Sequence, residues 1–252
     1  MSNRRFNILL VLLIFFVHCC PLRAQFATLP RDARSAALGG AHGCGDKDRH
    51  VAIGYRHGYM LTSMAVRTIE AVVPLGVGVV ETWYSHFGDS DYSEQQASVG
   101  YSLALGDRIT AGVSGRYLRL VAGDGHYLPQ QWLAVGIAAR AMLGRSLYID
   151  GAADSRPWDK SSPWRIHIGM GYRPLFSLLT IVEVEYEENV RLRCGAEYCY
   201  QEHYFLRAGF STAPVEITFG LGARMGNWSI DLAAADHQVL GITPQLSLAL
   251  WF

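Results

Sequence analysis

From residue 51 onward, apolar side chains recur at every second position in short runs separated by turn residues, and no long stretch has helical periodicity. Val99, Tyr101, Leu103 and Leu105 alternate with Gly100, Ser102 and Ala104 before Gly106-Asp107 turns the chain. Ile109, Ala111 and Val113 then alternate with Thr110, Gly112, Ser114 and Arg116. Leu133, Val135, Ile137, Ala139 and Ala141 oppose Ala134, Gly136, Ala138 and Arg140, and Leu143-Gly144-Arg145 closes that run. The same period runs through 164–173, 179–187, 191–200, 204–210, 216–224, 228–234 and 245–252, and less regularly through 51–57, 63–73, 77–86 and 147–153. The pattern predicts about fourteen strands, with twelve as the alternative.

The residues opposite the apolar positions decide the architecture. A soluble sandwich or lipocalin-like barrel turns its apolar face inward and covers the other with Lys, Glu, Asp and Arg. Here the opposing positions are mostly Gly, Ala, Ser and Thr with isolated charges. Small residues make a poor water-facing surface but suit a crowded lumen whose outer wall meets lipid. Strands of about 9–11 residues, apolar outward and polar inward, define a transmembrane antiparallel β-barrel. The pattern therefore favours an all-β membrane barrel over residues 51–252, preceded by a short N-terminal segment, residues 25–50, whose place at or in the barrel mouth is what the family resemblance below implies.

Composition agrees. Half of the residues are hydrophobic, 17% are charged and 26 are glycine, yet the longest uninterrupted apolar run is Ile8 to Val17. That is too short for a spanning helix, which needs about 20 residues. A barrel distributes its apolar surface over alternate positions and leaves no such run. Ile8–Val17 follows Arg4 and Arg5 and precedes Leu22-Arg23-Ala24, the layout of a secretory signal peptide over residues 1–24. Removing Arg4, Arg5 and Arg23 from 22 basic residues leaves 19 against 22 acidic ones, a net charge of −3. Such a balance excludes the basic footprint that nucleic acid requires. Loss of Cys19 and Cys20 with the leader leaves Cys44, Cys194 and Cys199, an odd number without zinc-site spacing, so neither a disulfide framework nor a metal or cofactor is expected. On one strand Cys194 and Cys199 would face opposite ways and could not bridge.

The charges fall on the predicted inner face. Over 179–187, Glu183, Glu185 and Glu187 share a face with Ile181, while over 191–200 Arg191, Arg193, Gly195 and Glu197 share one. With a turn at Glu188-Asn189, the two segments form a hairpin whose acidic ladder faces an arginine ladder. Arg207, Arg224 and Asp231 extend the polar face on later strands, and Arg116, Arg140, His167 and Arg173 supply it on earlier ones. An Arg or Lys facing lipid at mid-depth would cost about 2–4 kcal/mol, so this set belongs in the lumen, propping the wall or lining a substrate path. Tyr55, Tyr59, Trp83, Tyr84, Trp132, Tyr148, Trp158, Trp164, Tyr172, Trp228 and Trp251 lie near predicted strand ends, where interfacial girdles stand. The chain closes on Leu246, Leu248, Leu250 and Phe252. That alternating strand with a terminal aromatic has the form of the segment by which outer-membrane barrels meet their assembly machinery, Leu248, Leu250 and Phe252 being the signal.

Two segments carry a family resemblance. Leu29-Pro30-Arg31-Asp32-Ala33-Arg34-Ser35-Ala36-Ala37-Leu38-Gly39-Gly40-Ala41 resembles the opening of the PorV/PorQ-type outer-membrane proteins of the type IX secretion system, which are similar to FadL-like barrels. Its motif positions are Asp32, Ala33, Arg34, Gly39 and Gly40, where Gly39-Gly40 permits a sharp reversal or close approach. The last third also resembles that family, through Arg191–Tyr198, Phe205–Phe210, Gly220-Leu221-Gly222, Trp228–Leu232, Leu240-Gly241 and Phe252. The resemblance implies a fourteen-stranded barrel with its N-terminal segment in or near the lumen, in the outer membrane of a Bacteroidetes-type Gram-negative bacterium. It implies secretion-system proteins as partners beside membrane lipid, and no catalytic residues. The chain is short for that family, whose longer loops hold partner contacts.

Three functional classes follow. The first is a non-enzymatic component of secretion or envelope assembly. The second is a FadL-like transporter of hydrophobic small molecules. The third is an outer-membrane lipid enzyme, for which His126, His167, His203 and His237 are the candidate histidines, none beside a nucleophile in a recognisable motif.

Overall fold

A computed structural model describes residues 26, 29–41, 49–123, 128–156 and 164–252. The signal-peptide region 1–24, Cys44, His126 and Trp158 lie outside the described residues. One short helix, α1 (Ala33–Ala37), precedes fourteen strands: β1 (His50–His57), β2 (Ala65–Leu75), β3 (Gly78–Gly88), β4 (Tyr92–Leu105), β5 (Ile109–Ala122), β6 (Gln130–Met142) and β7 (Leu147–Ser155), then β8 (Arg165–Leu175), β9 (Leu178–Tyr186), β10 (Val190–Tyr200), β11 (Tyr204–Thr212), β12 (Val215–Met225), β13 (Trp228–His237) and β14 (Gly241–Trp251). Each strand pairs antiparallel with its sequence neighbours, and β14 closes on β1 through Ile53 opposite Leu248 and Gly54 opposite Ser247. The fourteen strands of the alternation are the fourteen of the wall. No helix among the described residues is long and apolar enough to cross a membrane.

The alternation sets which way each side chain points. Val113, Ile137 and Ile168 are each more than 60% exposed on the outside, whereas Glu183 is wholly buried and Arg193 nearly so on the inside. This is the reverse of a water-soluble protein and suits a wall whose outer solvent is lipid.

The two ends differ. β1 begins and β14 ends at one of them, here the terminal end, where the connections 76–77, 106–108, 143–146, 176–177, 201–203 and 226–227 are tight. The far end carries 58–64, 123–129 and 156–164 beside shorter turns. In 58–64 the chain makes two 3-10 turns, Gly58–Met60 and Thr62–Met64, so β2 begins at Ala65 and the strand expected from 63 starts late.

Three further expectations shift. Glu187 lies in the turn after β9, which spans one residue more than Glu188-Asn189. From there it bonds Arg165 at 2.8 Å. Phe252 lies one residue beyond β14, with the Arg49 guanidinium 4.4 Å above its ring. Leu248 and Leu250 point outward on β14, opposite Ile53 and Val51. Finally, five of the aromatics expected in girdles face the lumen: Tyr59 in the far-end cavities, Trp83 beneath Arg31 and Arg116, Trp132 against Phe26, Tyr148 beneath Arg140, and Trp251 beside His50 and Arg224. A position near a strand end does not fix the face on which a side chain lies.

Candidate functional site

The described part of the N-terminal segment sits inside the barrel. Asp32 caps α1 by accepting from the Ser35 amide at 2.6 Å. Leu38 and Gly40 return their amides to the Ser35 carbonyl at 3.1 and 2.9 Å, and Gly39 and Gly40 take positive φ to reverse the chain. The helix is alanine-rich because it lies almost against the wall: Ala33, Ala37, Leu38 and Ala41 have no solvent exposure. Inward-facing Gly195, Gly209 and Gly220 form its floor. A Cβ on Gly195 would stand 2.8 Å from Leu38, and one on Gly209 or Gly220 would collide with Gly39 or Ala37. Small residues on the inner face therefore have a specific use, as a socket for the plug.

Polar wall residues satisfy the backbone of the plug. Thr218 donates to the Ala37 carbonyl and accepts from the Gly39 amide, at 2.8 and 3.1 Å. Ser247 accepts from the Ala33 amide at 3.1 Å, Thr68 donates to the Arg31 carbonyl at 2.7 Å and Gln245 donates to the Pro30 carbonyl at 3.3 Å. Glu94 accepts from the Phe26 amide at 2.9 Å.

The predicted charges form chains rather than isolated pairs. Arg193 opposes Glu183 across the β9–β10 hairpin and Arg191 opposes Glu185. Arg193 bonds Glu183 at 2.8 Å and Glu185 at 2.9 Å, and Arg191 reaches Glu185 at 3.1 Å. Glu197 receives Arg207 at 2.7 Å and a two-pronged Arg34 at 2.8 and 2.9 Å, so the motif arginine of the plug is locked into the wall. Arg207 continues to Asp231. Asp231 in turn lies opposite Gly222, where a larger side chain would collide with that ion pair.

On the other side, Arg140 bonds Asp150 at 2.9 Å, and Asp154 lies between Arg116 at 3.7 Å and Arg165 at 3.9 Å. His167 is opposite Glu185 on the β8–β9 ladder. Arg173 lies at the β8 irregularity near the terminal end, and Arg224 covers the Trp251 ring at 4.6 Å. Cys194 and Cys199 are free thiols. No group of three or more metal-binding side chains occurs among the described residues.

Sequence reasoning missed part of this network. Arg31 pairs with Glu70 at 3.4 Å and with Glu81, and Arg56, Glu94, Asp150, Asp154 and Arg165 also face inward. Arg56 follows Ala52 and Gly54 at every second position against outward Val51, Ile53 and Tyr55, so the alternation already contained it. Arg31 could not be found that way, because the plug has no strand period.

The plug divides the lumen. Toward the terminal end lies a charged cavity of about 340 Å³, lined among others by Glu70, Arg173, Arg207, Arg224 and Asp231. Toward the far end lies one of about 260 Å³, with Leu29, Tyr59, Met64, Trp83 and Phe87 prominent in its lining. Burial, with Glu216 close by, pushes the Tyr59 phenol pKa up against the opposing pull of Arg56.

A closed fourteen-stranded antiparallel wall, apolar outside and filled with charge and its own N-terminal segment, has the fold of an outer-membrane β-barrel. Solved structures share it. The Pseudomonas putida toluene transporter TodX superposes with a TM-score of 0.64 at 10% identity, covering 90% of this chain and 98% of that one. The CymD monoaromatic hydrocarbon channel gives 0.64 at 9% identity, over 90% and 99% of the two chains. The Acinetobacter baumannii outer membrane protein Omp33 gives 0.58 at 9% identity, over 81% and 98%. Comparison of the sequence with protein-family models and with curated proteins returns no match.

Proposed function

We propose that this protein is a non-enzymatic barrel of the Gram-negative outer membrane that admits small hydrophobic molecules, as a FadL-like transporter does. The observation that carries this reading is the far-end cavity of about 260 Å³ bordered by the plug, where Tyr59, Met64, Trp83 and Phe87 form an apolar side opposite polar and charged residues that include Arg56 and Glu94. An aromatic-lined space closed below by the chain's own segment suits a solute that leaves water on entry, whereas an ion-conducting pore would be open and polar throughout. The fold shared with TodX and CymD, described as a toluene transporter and a monoaromatic hydrocarbon channel, supports the same class. Tight turns and both ends of the wall at one side support a periplasmic position for that side, with the aromatic cavity toward the cell exterior.

In this reading, residues 1–24 are a signal peptide removed on export, and β14 with Leu248, Leu250 and Phe252 meets the assembly machinery. A secretion-associated role of the PorV/PorQ kind rests on the resemblance of the two segments alone.

The test is calorimetric titration of the detergent-solubilised barrel with toluene. Saturable binding that weakens on Trp83→Ser is expected. Absence of saturable binding, together with a steady open conductance in planar bilayers, would overturn the reading in favour of a polar pore.

A further inference from the structure

The far-end space holds a cation that the wall does not use. Arg56, on the inward face of β1, is only 9% exposed, and its guanidinium makes no hydrogen bond or ion pair among the described residues. Its charged neighbours in the lumen each face an opposite charge or a donor, although the Nε atoms of Arg116 and Arg165 make no hydrogen bond. Arg116 and Arg165 engage Asp154, Arg165 also bonds Glu187 and the Phe26 carbonyl, and Glu94 accepts from Phe26 and Tyr92. Glu216 on β12 is the acid whose charge Arg56 feels, yet the two line a cavity of about 210 Å³ without forming an ion pair. Arg56 thus borders both far-end spaces, the aromatic one and the one it shares with Glu216.

A buried cation without a partner is costly, and the cost falls when an anion supplies the missing hydrogen bonds. Guanidinium has a planar fork of donors that matches a carboxylate, and Tyr59, which lines the same two spaces, adds a hydroxyl. Leu29, Pro30, Met64, Val66, Trp83 and Phe87 give the same space an apolar side, beside polar Thr68, Ser85 and Gln96 and the charges of Arg31, Glu94, Arg116 and Arg165, and an apolar cavity of about 150 Å³ is enough to hold benzene. We propose that Arg56 binds the carboxylate of a small aromatic monoanion whose ring occupies the space lined by Trp83, Phe87 and Met64. This deepens the transport reading and rests on it, since it gives the hydrophobic solute a charged handle.

Benzoate, toluene and acetate separate the contributions of charge and ring. With the full barrel in detergent, benzoate should bind more tightly than acetate. Arg56→Gln should weaken benzoate by about tenfold while leaving toluene unchanged. Arg56→Lys should recover part of the loss, since it keeps the charge but not the fork. Glu216→Gln, which removes the opposing acid, should tighten benzoate. Folding of each variant is verified by faster migration of the unboiled sample on a denaturing gel. Absence of benzoate binding, equal benzoate affinity in Arg56→Gln, or parallel loss of toluene would overturn the assignment. Saturable toluene binding with no Arg56-dependent benzoate binding would leave the hydrophobic-solute reading standing alone. Arg56-dependent benzoate binding without toluene binding would retain the anion site and remove that reading.

Discussion

The two sides of the lumen use the same materials differently. From β9 to β14, glycine, alanine and threonine form a close seat for α1, and Glu197 ties Arg34 of the plug to Arg207 of the wall. From β2 to β6, larger inward side chains such as Trp83 and Phe87 meet the N-terminal segment at single points, Trp83 under Arg31, and border an open space beside it. The difference lies in where volume is spent. Small residues bring the backbones together and exclude solvent, whereas bulky residues that do not interlock border a cavity.

The comparison breaks most severely at Glu197. Glu197→Ala removes the buried carboxylate that Arg34 and Arg207 share, and should cost about 3–5 kcal/mol. The readout is a lower temperature for conversion of the folded to the unfolded gel band; an unchanged temperature would mean that the ion pairs do not secure the seat. Gly220→Leu places a side chain where Ala37 lies and should cost about 1–3 kcal/mol by overpacking. Proteolysis near residues 29–41 should accelerate if the plug is displaced. Glu183→Gln is milder, about 1–2 kcal/mol, because Arg193 keeps Glu185. On the cavity side, Trp83→Ala removes the cover of Arg31 and Arg116 and should cost under about 1 kcal/mol while weakening toluene binding. A larger stability loss there than at Glu183 would contradict the division into seat and cavity.

The wall was largely legible in the sequence because a sheet with lipid on one side allows no ambiguity of face. Each slip of register would put Glu183, Arg193 or Arg207 into hydrocarbon. The hairpin between β9 and β10 was readable for the same reason, since its acids and arginines lie opposite one another at matched spacing. The plug was legible only as a motif. Asp32, Arg34 and Gly39-Gly40 marked a cap, a charge and a reversal, but their partners Ser35, Glu197 and Thr218 are set by tertiary contact. Nearness to a strand end does not separate the aromatics that face out, such as Tyr55 and Trp228, from those that face in. Parity puts Trp83 and Trp251 inside with Arg31 and Arg224.

The seam between β1 and β14 gains a property from the plug. The Thr68 hydroxyl on β2, next to β1, holds the Arg31 carbonyl, while Gln245 and Ser247 on β14 hold Pro30 and Ala33. The segment that precedes the first strand therefore clasps the ring across its only join between distant parts of the chain. Parting β1 from β14 requires more than unzipping a ladder: the clasp must also be released on at least one side. Sideways opening at that join therefore loosens the plug from β2 or from β14 while Thr218 and Glu197 still hold it elsewhere, and the wall is tied at the place where a linear chain had to be made circular.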